Sequence, residues 1–175
     1  MAITVQPTPA TLRWIDFRVV PQRMRDPNDG SEIDAYTSFS YNLPAQPPRA
    51  VEGYQFALAD PMVIAITPDA QVWSGVQQTL ELLTHEQFHY DVGIVTARAL
   101  ARALMKLRAP SLATLGSALN VAGTLHLHTR ARLLQRRYDL DCQHGRNLKV
   151  QSLWKERMRV CLADPNATML GGFWL

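Results

Sequence analysis

The order of apolar and polar residues divides the chain into two parts of different character. Up to Ser74 there is no helical periodicity, and β-branched or aromatic residues gather in short runs separated by Pro and turn-forming residues. Residues 14–20 are typical of a strand because they are rich in β-branched and aromatic residues, and residues 36–41 are typical of a half-buried strand because aromatic positions alternate there with small polar ones. Residues 26–30, Asp-Pro-Asn-Asp-Gly, are typical of a turn between them.

A second group of strands is predicted after a Pro-rich connector over residues 44–48. Residues 54–58 and 62–67 are short apolar runs that predict another antiparallel pair. Pro68-Asp69 and the step over residues 73–75 are expected to close this β section.

The pattern changes to a helical one at Val76. Residues 76–108 contain no Pro and only one Gly, which predicts one long helix that ends at Ala109-Pro110. The apolar positions that repeat at helical spacing are Leu80, Leu83, Phe88, Val92, Val95 and Ala99.

A second helix is predicted after a stretch interrupted by glycines. It carries Leu127, Ala131, Leu134 and Tyr138 on one side, with arginines mostly elsewhere around it, and Gly145 is a suitable terminator. Residues 150–160 predict a third helix. Strands followed by helices give an α+β layout, with a small, mainly antiparallel sheet followed by a long helix and an antiparallel return helix.

Composition sets the limits of this interpretation. A length of 175 residues with 47% apolar and 19% charged residues fits a single domain, with a β section over 1–75, a helical section over 76–160 and a tail over 161–175. A net charge of +3 gives no argument for nucleic acid as a partner, and no apolar run is long enough to span a membrane. Cys142 and Cys161 could form one bridge but no disulfide framework.

The long predicted helix contains the sequence His85-Glu86-Gln87-Phe88-His89. Two histidines at positions i and i+4 lie one above the other on a helix face, so both imidazoles can reach one zinc ion at about 2.0–2.1 Å. The glutamate beside the first histidine lies about 100° around the helix, where it can accept a proton from a water that zinc has acidified. The spacing therefore predicts a zinc site with Glu86 as the general base.

Catalytic zinc usually has three protein ligands, so a third must be found. Val92 and Val95 occupy the positions where a metzincin has Gly and His, which excludes that pattern. After Glu86 the next glutamate is Glu156, in a weakly patterned segment. Residues 138–145 remain, and helix lengths support them: 18 residues from His89 to Leu107 span about 27 Å, a distance that the return helix covers by Tyr138.

These residues resemble a known family. His85-Glu86-Gln87-Phe88-His89-Tyr90-Asp91 resembles an HEQxHxD signature, and residues 138–145 resemble a YDxxTxHG signature, of a bacterial domain-of-unknown-function family of predicted zinc-dependent proteases. Residues 12–17 and 34–37 are similar to the opening strands of that family, and Trp73 and Trp154 also fit. The resemblance covers residues 12–155 approximately.

The resemblance implies a zincin-like fold, with a small sheet, an active-site helix and a helical return. The chain departs from the signatures at Cys142, where the family prefers Thr, and at Phe88, where Gly is common. Family members are often exported. The chain as given shows no leader, which predicts a cytoplasmic protein, or a periplasmic or secreted one if a leader has been removed.

Two residues compete for the third ligand position. His144 follows the predicted helix end, where a loop can direct an imidazole at the metal, and His144 could instead donate a hydrogen bond to a developing oxyanion. Asp139 could ligate the metal directly or orient a ligand histidine. Asp91 is either a solvated carboxylate or a support for the ligands, and Tyr138 either packs in the core or contacts the site.

The leading hypothesis is a zinc metallopeptidase or related hydrolase of peptide-like bonds, with zinc held by His85, His89 and His144 or Asp139. A strand of the β section would bind an extended peptide or protein substrate by edge pairing. Two alternatives stay open: a zinc-binding module without catalysis, in which Glu86 is structural, and a basic helical binding protein that presents the arginines of residues 130–137 to an acidic partner.

Overall fold

The structure is a computed structural model that describes residues 3–43, 48–53, 55–58 and 61–175. The described part of the chain is a mixed α/β protein in which most strands precede the helices and two short strands follow them. Its strands are β1 (Ile3–Pro7), β2 (Arg18–Val20), β3 (Met24–Arg25), β4 (Glu32–Ile33), β5 (Ala35–Asn42), β6 (Arg49–Val51), β7 (Gln55–Ala57), β8 (Met62–Trp73), β9 (Met169–Leu170) and β10 (Phe173–Trp174). Its helices are α1 (Leu80–Lys106), α2 (Leu112–Gly123), α3 (Ala131–Cys142) and α4 (Leu148–Ala163).

Strand β8 is the centre of the main sheet. Along one of its edges β1 pairs over residues 62–66 and β2 over residues 71–73, both parallel to β8. Along its other edge β5 pairs antiparallel over residues 65–72. Pro68 lies in the gap between β1 and β2, where the missing N–H of a proline removes no ladder hydrogen bond.

Helix α1 packs across this sheet and carries the predicted chemistry. The Thr79 hydroxyl accepts a hydrogen bond from the Leu82 N–H at 3.2 Å, which caps the helix and fixes its first turn. Gly93 allows close contact with β5, since a Cβ there would lie 2.5 Å from the Phe39 ring. One face of α1 packs on the sheet through residues such as Tyr90 and Leu100.

The return path is one long helical run. Helix α2 begins at its cap residue Ser111, continues through a π-helical segment, Thr124–Arg130, and passes directly into α3. The run ends where Gln143, His144 and Gly145 adopt φ values of 52°, 52° and 83°. Three successive residues in this left-handed region turn the chain away sharply, and the glycine adopts that conformation without strain.

The second face of α1 packs against α3, α4 and the tail. Phe88, Val92, Leu134 and Trp154 belong to this second core cluster. The tail forms a small antiparallel hairpin from β9 and β10. Cys142 and Cys161 are buried in the same cluster as free thiols, so the bridge that the sequence left open is not formed.

Several predictions about the β section need correction. Residues 14–20 are not one strand, because Trp14–Asp16 is a 3-10 helix in which the Asp16 carboxylate accepts a hydrogen bond from the Arg13 N–H. The two runs at 54–58 and 62–67 do not pair: β7 pairs with β6, and β8 pairs in the main sheet. Tyr54 and most of the Pro-rich connector lie outside the described residues.

The predicted sheet direction and one of the two predicted end signals also differ from the structure, whereas the step over residues 73–75 is confirmed, because β8 ends at Trp73. The short two-stranded sheets are antiparallel, whereas the main sheet is mixed. Pro68-Asp69 lies within β8 rather than at its end, because the edge facing the proline has no ladder partner there. Within the described residues, every helix is too short or too polar to cross a membrane.

Candidate metal centre

Two helices bring three potential ligand atoms together. His85 and His89 lie one turn apart on α1, and Asp139 lies on α3, which runs back beside it. The Asp139 Oδ1 lies 3.2 Å from the His85 Nε2 and 3.0 Å from the His89 Nε2, and the two Nε2 atoms are 3.3 Å apart. A tetrahedral ion with bonds of about 2.0–2.1 Å holds its ligand atoms about 3.3 Å apart, so this triangle has the size of a metal-binding face.

Because they are buried, these three groups interact strongly through their charges. His85, His89 and Asp139 are 4%, 7% and 7% exposed. Burial by itself would lower the pKa of His89, but the carboxylates of Asp139 and Glu86 outweigh it and raise that pKa to about 9. Burial would raise the pKa of Asp139, and its contacts with His89 and His85 outweigh burial and hold that pKa below its ordinary range. The carboxylates therefore favour a positive charge at this buried position, which a metal cation can supply.

Glu86 lies in the same cleft as the three potential ligands. The cleft has a volume of about 280 Å³ and is lined by His85, Glu86, His89 and Asp139 among others. Glu86 is 2% exposed, and its Oε2 has no hydrogen-bond partner among the described residues. An unpaired buried carboxylate oxygen carries a desolvation cost, which is typical of a group kept free for a ligand or a reaction.

Aromatic rings fix the orientation of His85. The Tyr138 ring is stacked on the His85 ring with centroids 4.8 Å apart, and it is also stacked on Phe88 at 3.8 Å. Tyr138 is 1% exposed, and burial raises its pKa far above the ordinary value. Tyr138 therefore takes the packing role, one of the two predicted for it, and the His85 ring is one of its packing partners.

Asp91 lies apart from the potential ligands. The Gln87 amide donates to its Oδ1 at 2.7 Å, and the Gln87 Oε1 accepts from the Leu12 N–H at 2.7 Å. Asp91 is 9% exposed and lines a separate cavity with Leu12 and Met158. Asp91 is therefore neither a solvated carboxylate nor a contact of the histidines. Through Gln87 it holds the segment that precedes the 3-10 helix Trp14–Asp16.

His144, our first choice for the third ligand, belongs to a different group. Its Nε2 lies 3.2 Å from the Asp29 Oδ2, and its Nδ1 lies 3.6 Å from the Asp26 Oδ2. Asp139 occupies the third place beside His85 and His89, while His144 joins Asp26 and Asp29 in a second possible metal-binding group. The reason is the helix end: α3 continues to Cys142, so Asp139 still faces α1, and the left-handed turn then directs His144 toward the loop between β3 and β4.

Sequence reasoning missed two residues near the potential ligands. The sequence places Asp26 only in a turn, although it is 6% exposed and faces the cleft. Gln151, on α4, is 4% exposed and packs beside His85 through the space next to Gly145. Neither carries a sequence signal, because each lies far along the chain from the histidines that it approaches.

Comparisons of the chain with protein-family models, with curated proteins and with solved structures found no match.

Proposed function

We propose that this protein is a zinc-dependent hydrolase of peptide-like bonds, with a zincin-like fold. The observation that carries the proposal is the meeting of His85, His89 and Asp139 in one buried triangle, beside a Glu86 carboxylate whose Oε2 is unpaired. A helix that carries the histidines, lies against a sheet and is joined by a helical return is the arrangement expected of such a fold.

The donor set suits zinc. Two imidazole nitrogens and one carboxylate oxygen are ligands that zinc accepts, and three protein ligands leave a fourth position open for substrate or water. Bound zinc would acidify a water molecule and polarise a carbonyl group. His85, His89 and Asp139 would hold the ion, and the low pKa of Asp139 keeps its carboxylate ionised and ready to bind.

Glu86 has the position and the freedom of a general base. It follows His85 directly on α1, so its side chain enters the same cleft about 100° around the helix. Its unpaired Oε2 can accept the proton of the attacking water and then pass that proton to the leaving nitrogen.

Strand β5 offers a place for an extended substrate. The Trp73 N–H donates to the Asp34 carbonyl at 2.8 Å, which makes Asp34 and Trp73 a hydrogen-bonded pair of the antiparallel ladder. Because such pairs alternate, the N–H and C=O groups of Ala35 and Thr37 point away from β8. No second strand pairs with β5 in the part of the chain described here, and Ala35, Tyr36 and Thr37 line the cleft. A peptide could add to this edge beside the metal centre.

The substitution Glu86→Gln tests the proposal. It keeps the side-chain shape and removes the proton acceptor, so we expect about one zinc per chain to remain while hydrolysis of a mixed peptide library falls at least about a hundredfold. Zinc would be measured by elemental mass spectrometry and hydrolysis by peptide mass spectrometry. Glu156→Gln on α4, an exposed position outside the cleft, is the matched control and should behave as wild type.

Two outcomes would overturn parts of the proposal. Equal hydrolysis by the wild type and the Glu86→Gln variant would place the chemistry elsewhere. Zinc bound at one per chain, with no hydrolysis of any library peptide by the wild type, would favour the metal-binding module without catalysis.

A further inference from the structure

Two buried polar atoms beside the metal centre lack hydrogen-bond partners. They are the His85 Nδ1 and the Gln151 Oε1, and neither contacts a partner in the described residues. Both residues are 4% exposed, so solvent does not satisfy these atoms either. A buried polar atom without a partner is costly, and two of them near the same histidine need an explanation.

Gly145 leaves open the space that these two atoms share. A Cβ at this glycine would lie 3.5 Å from the His85 Nδ1 and 3.5 Å from the Gln151 Oε1. The two atoms therefore border the same small space, on the side of His85 opposite to its metal-facing Nε2. A larger residue at 145 would fill that space and would also be strained at φ 83°.

The orientation of the Gln151 amide is determined by its other contact. Its Nε2 donates to the Glu81 carbonyl oxygen at 2.9 Å. A carbonyl can only accept, so the amide cannot be turned around, and the Oε1 is the atom that borders the shared space. Gln151 thus offers a fixed acceptor from the first turn of α4.

His85 needs an acceptor at this position if it binds a metal. Its Nε2 faces the His89 Nε2 and the Asp139 Oδ1, and a nitrogen that ligates a metal carries no proton. A neutral imidazole then carries its proton on Nδ1, which makes that atom a donor. The unpaired donor and the unpaired acceptor are complementary.

We propose that Gln151 is a positioning residue of the metal centre: its Oε1 accepts the Nδ1–H of His85, directly or through one water in the space beside Gly145. This inference rests on the proposed function, because it assigns Gln151 the task of presenting the His85 Nε2 lone pair to the metal. Metal-binding histidines generally donate their other N–H in this way, which fixes the ring and its tautomer.

Two substitutions at Gln151 test the inference. Gln151→Leu removes the acceptor, so we expect the dissociation constant for zinc to rise by about 10- to 100-fold in a chelator competition assay. Gln151→Glu loses the hydrogen bond to the Glu81 carbonyl, at some cost in stability, but it keeps an acceptor oxygen for His85 and should bind zinc within about threefold of wild type. Gln87→Leu on α1 is the matched control: it removes a partly buried amide with two hydrogen bonds, but none to His85, and should leave zinc affinity within about twofold.

Ring spectra of the zinc-loaded protein separate this inference from the proposed hydrolysis, because they need no substrate. Zinc has to be bound, since in its absence the His85 Nε2 lies 3.2 Å from the Asp139 Oδ1 and can itself carry the ring proton. In ¹⁵N NMR of the histidine rings with zinc bound, wild type and Gln151→Glu should show a His85 Nδ1 that carries a slowly exchanging proton, and Gln151→Leu should lose that signature. Wild-type zinc affinity in Gln151→Leu together with unchanged His85 ring signals would overturn the role of Gln151. Absence of hydrolysis by the wild type, with zinc bound and the Nδ1–H signature present and dependent on Gln151, would overturn the proposed hydrolase function and leave the role of Gln151 standing. Failure of the wild type to bind zinc would overturn both.

Discussion

Two groups of histidine and aspartate side chains lie at or beside the cleft, and they differ in burial and in the elements that hold them. One group is His85, His89 and Asp139, and the other is Asp26, Asp29 and His144. Both offer imidazole nitrogens and carboxylate oxygens within reach of one ion. The residue types alone would not distinguish them.

The side chains of the first group are buried and contact one another. Its members are held by two rigid helices, and its three potential ligand atoms contact one another at 3.0–3.3 Å. The coupling raises the pKa of His89 to about 9 and lowers that of Asp139. A proton on His89 supplies the positive charge that the carboxylates favour. A metal ion can replace that proton and can bind all three ligand atoms at once.

The second group is satisfied by its own loop. The Asp26 Oδ1 accepts from the Asn28 N–H at 2.6 Å, and the Asp29 Oδ1 accepts from the Ser31 N–H at 2.8 Å. Hydrogen bonds from Ser31 lower the pKa of Asp29, whose side chain is well exposed to solvent. These carboxylates stabilise a turn through their Oδ1 atoms and contact His144 through their Oδ2 atoms. The comparison teaches that burial and support by two helices, rather than residue types, distinguish the candidate metal centre.

The largest expected effect is stabilisation of the folded protein by zinc. At about a thousand times its dissociation constant, zinc should stabilise the wild type by about 4 kcal/mol. For a chain of this size the melting temperature would rise by roughly 10 °C, measured by scanning calorimetry and reversed by a chelator. The double variant His85→Ala/His89→Ala keeps the second group intact and should show no such rise; an equal rise there would reverse the ranking of the two groups.

A matched pair of isosteric substitutions compares the groups directly. Asp139 and Asp26 are buried to the same degree, at 7% and 6% exposure. Asp139→Asn removes the charged ligand and should weaken zinc binding by about a hundredfold or more, whereas Asp26→Asn should change it by no more than about threefold. Competition with a chromophoric chelator measures both constants. A larger loss in Asp26→Asn would assign the metal to the second group.

The helical part of the fold could be predicted from sequence because its signals are local. Helix α1 was expected over 76–108 and runs over Leu80–Lys106, and α4 was expected over 150–160 and runs over Leu148–Ala163. The pairing of β7 and β8 was predicted wrongly, because short apolar runs specify a strand without specifying its partner. The sequence predicts that Pro68 lies near the end of a strand, whereas it lies within β8. The gap between β1 and β2 that accommodates the proline depends on strand pairing and cannot be read from the sequence.

Part of the candidate site could also be predicted, because part of it depends on local signals. His85, Glu86 and His89 follow from their spacing on one helix, and the length of the return helix places the segment with Asp139 beside them. The choice between Asp139 and His144 depended on where α3 ends, and an error of two residues there exchanges one for the other. Asp26 reaches the cleft, and Gln151 reaches the space beside Gly145 and His85, through tertiary packing alone, which no local pattern records.

Asp91 is a buried carboxylate without a histidine partner, so it can be compared with Asp139, which has two. Burial raises its pKa to about 6, against the hydrogen bond from Gln87. A carboxylate whose pKa is raised on folding stabilises the fold while it is protonated, below about pH 4, and that contribution is lost as pH rises through about 6. The wild type should therefore lose roughly 2 kcal/mol relative to Asp91→Asn between pH 4 and pH 7, measured by urea unfolding. A difference between the two proteins that is independent of pH would contradict this account.

The smallest expected effect is the loss of the His144 side chain. If the second group holds no metal, His144→Ala should leave the dissociation constant for zinc within about threefold of wild type, because the ligands of the first group do not contact the removed ring. The loop between β3 and β4 would lose the contact from His144 Nε2 to Asp29 and Ser31, a partly exposed interaction worth well under the effect of Asp139→Asn. His89→Ala, measured in parallel, is the positive control and should lose tight binding. Loss of zinc by orders of magnitude in His144→Ala would restore His144 as the third ligand, and it would mean that the left-handed turn over residues 143–145 rearranges when metal binds.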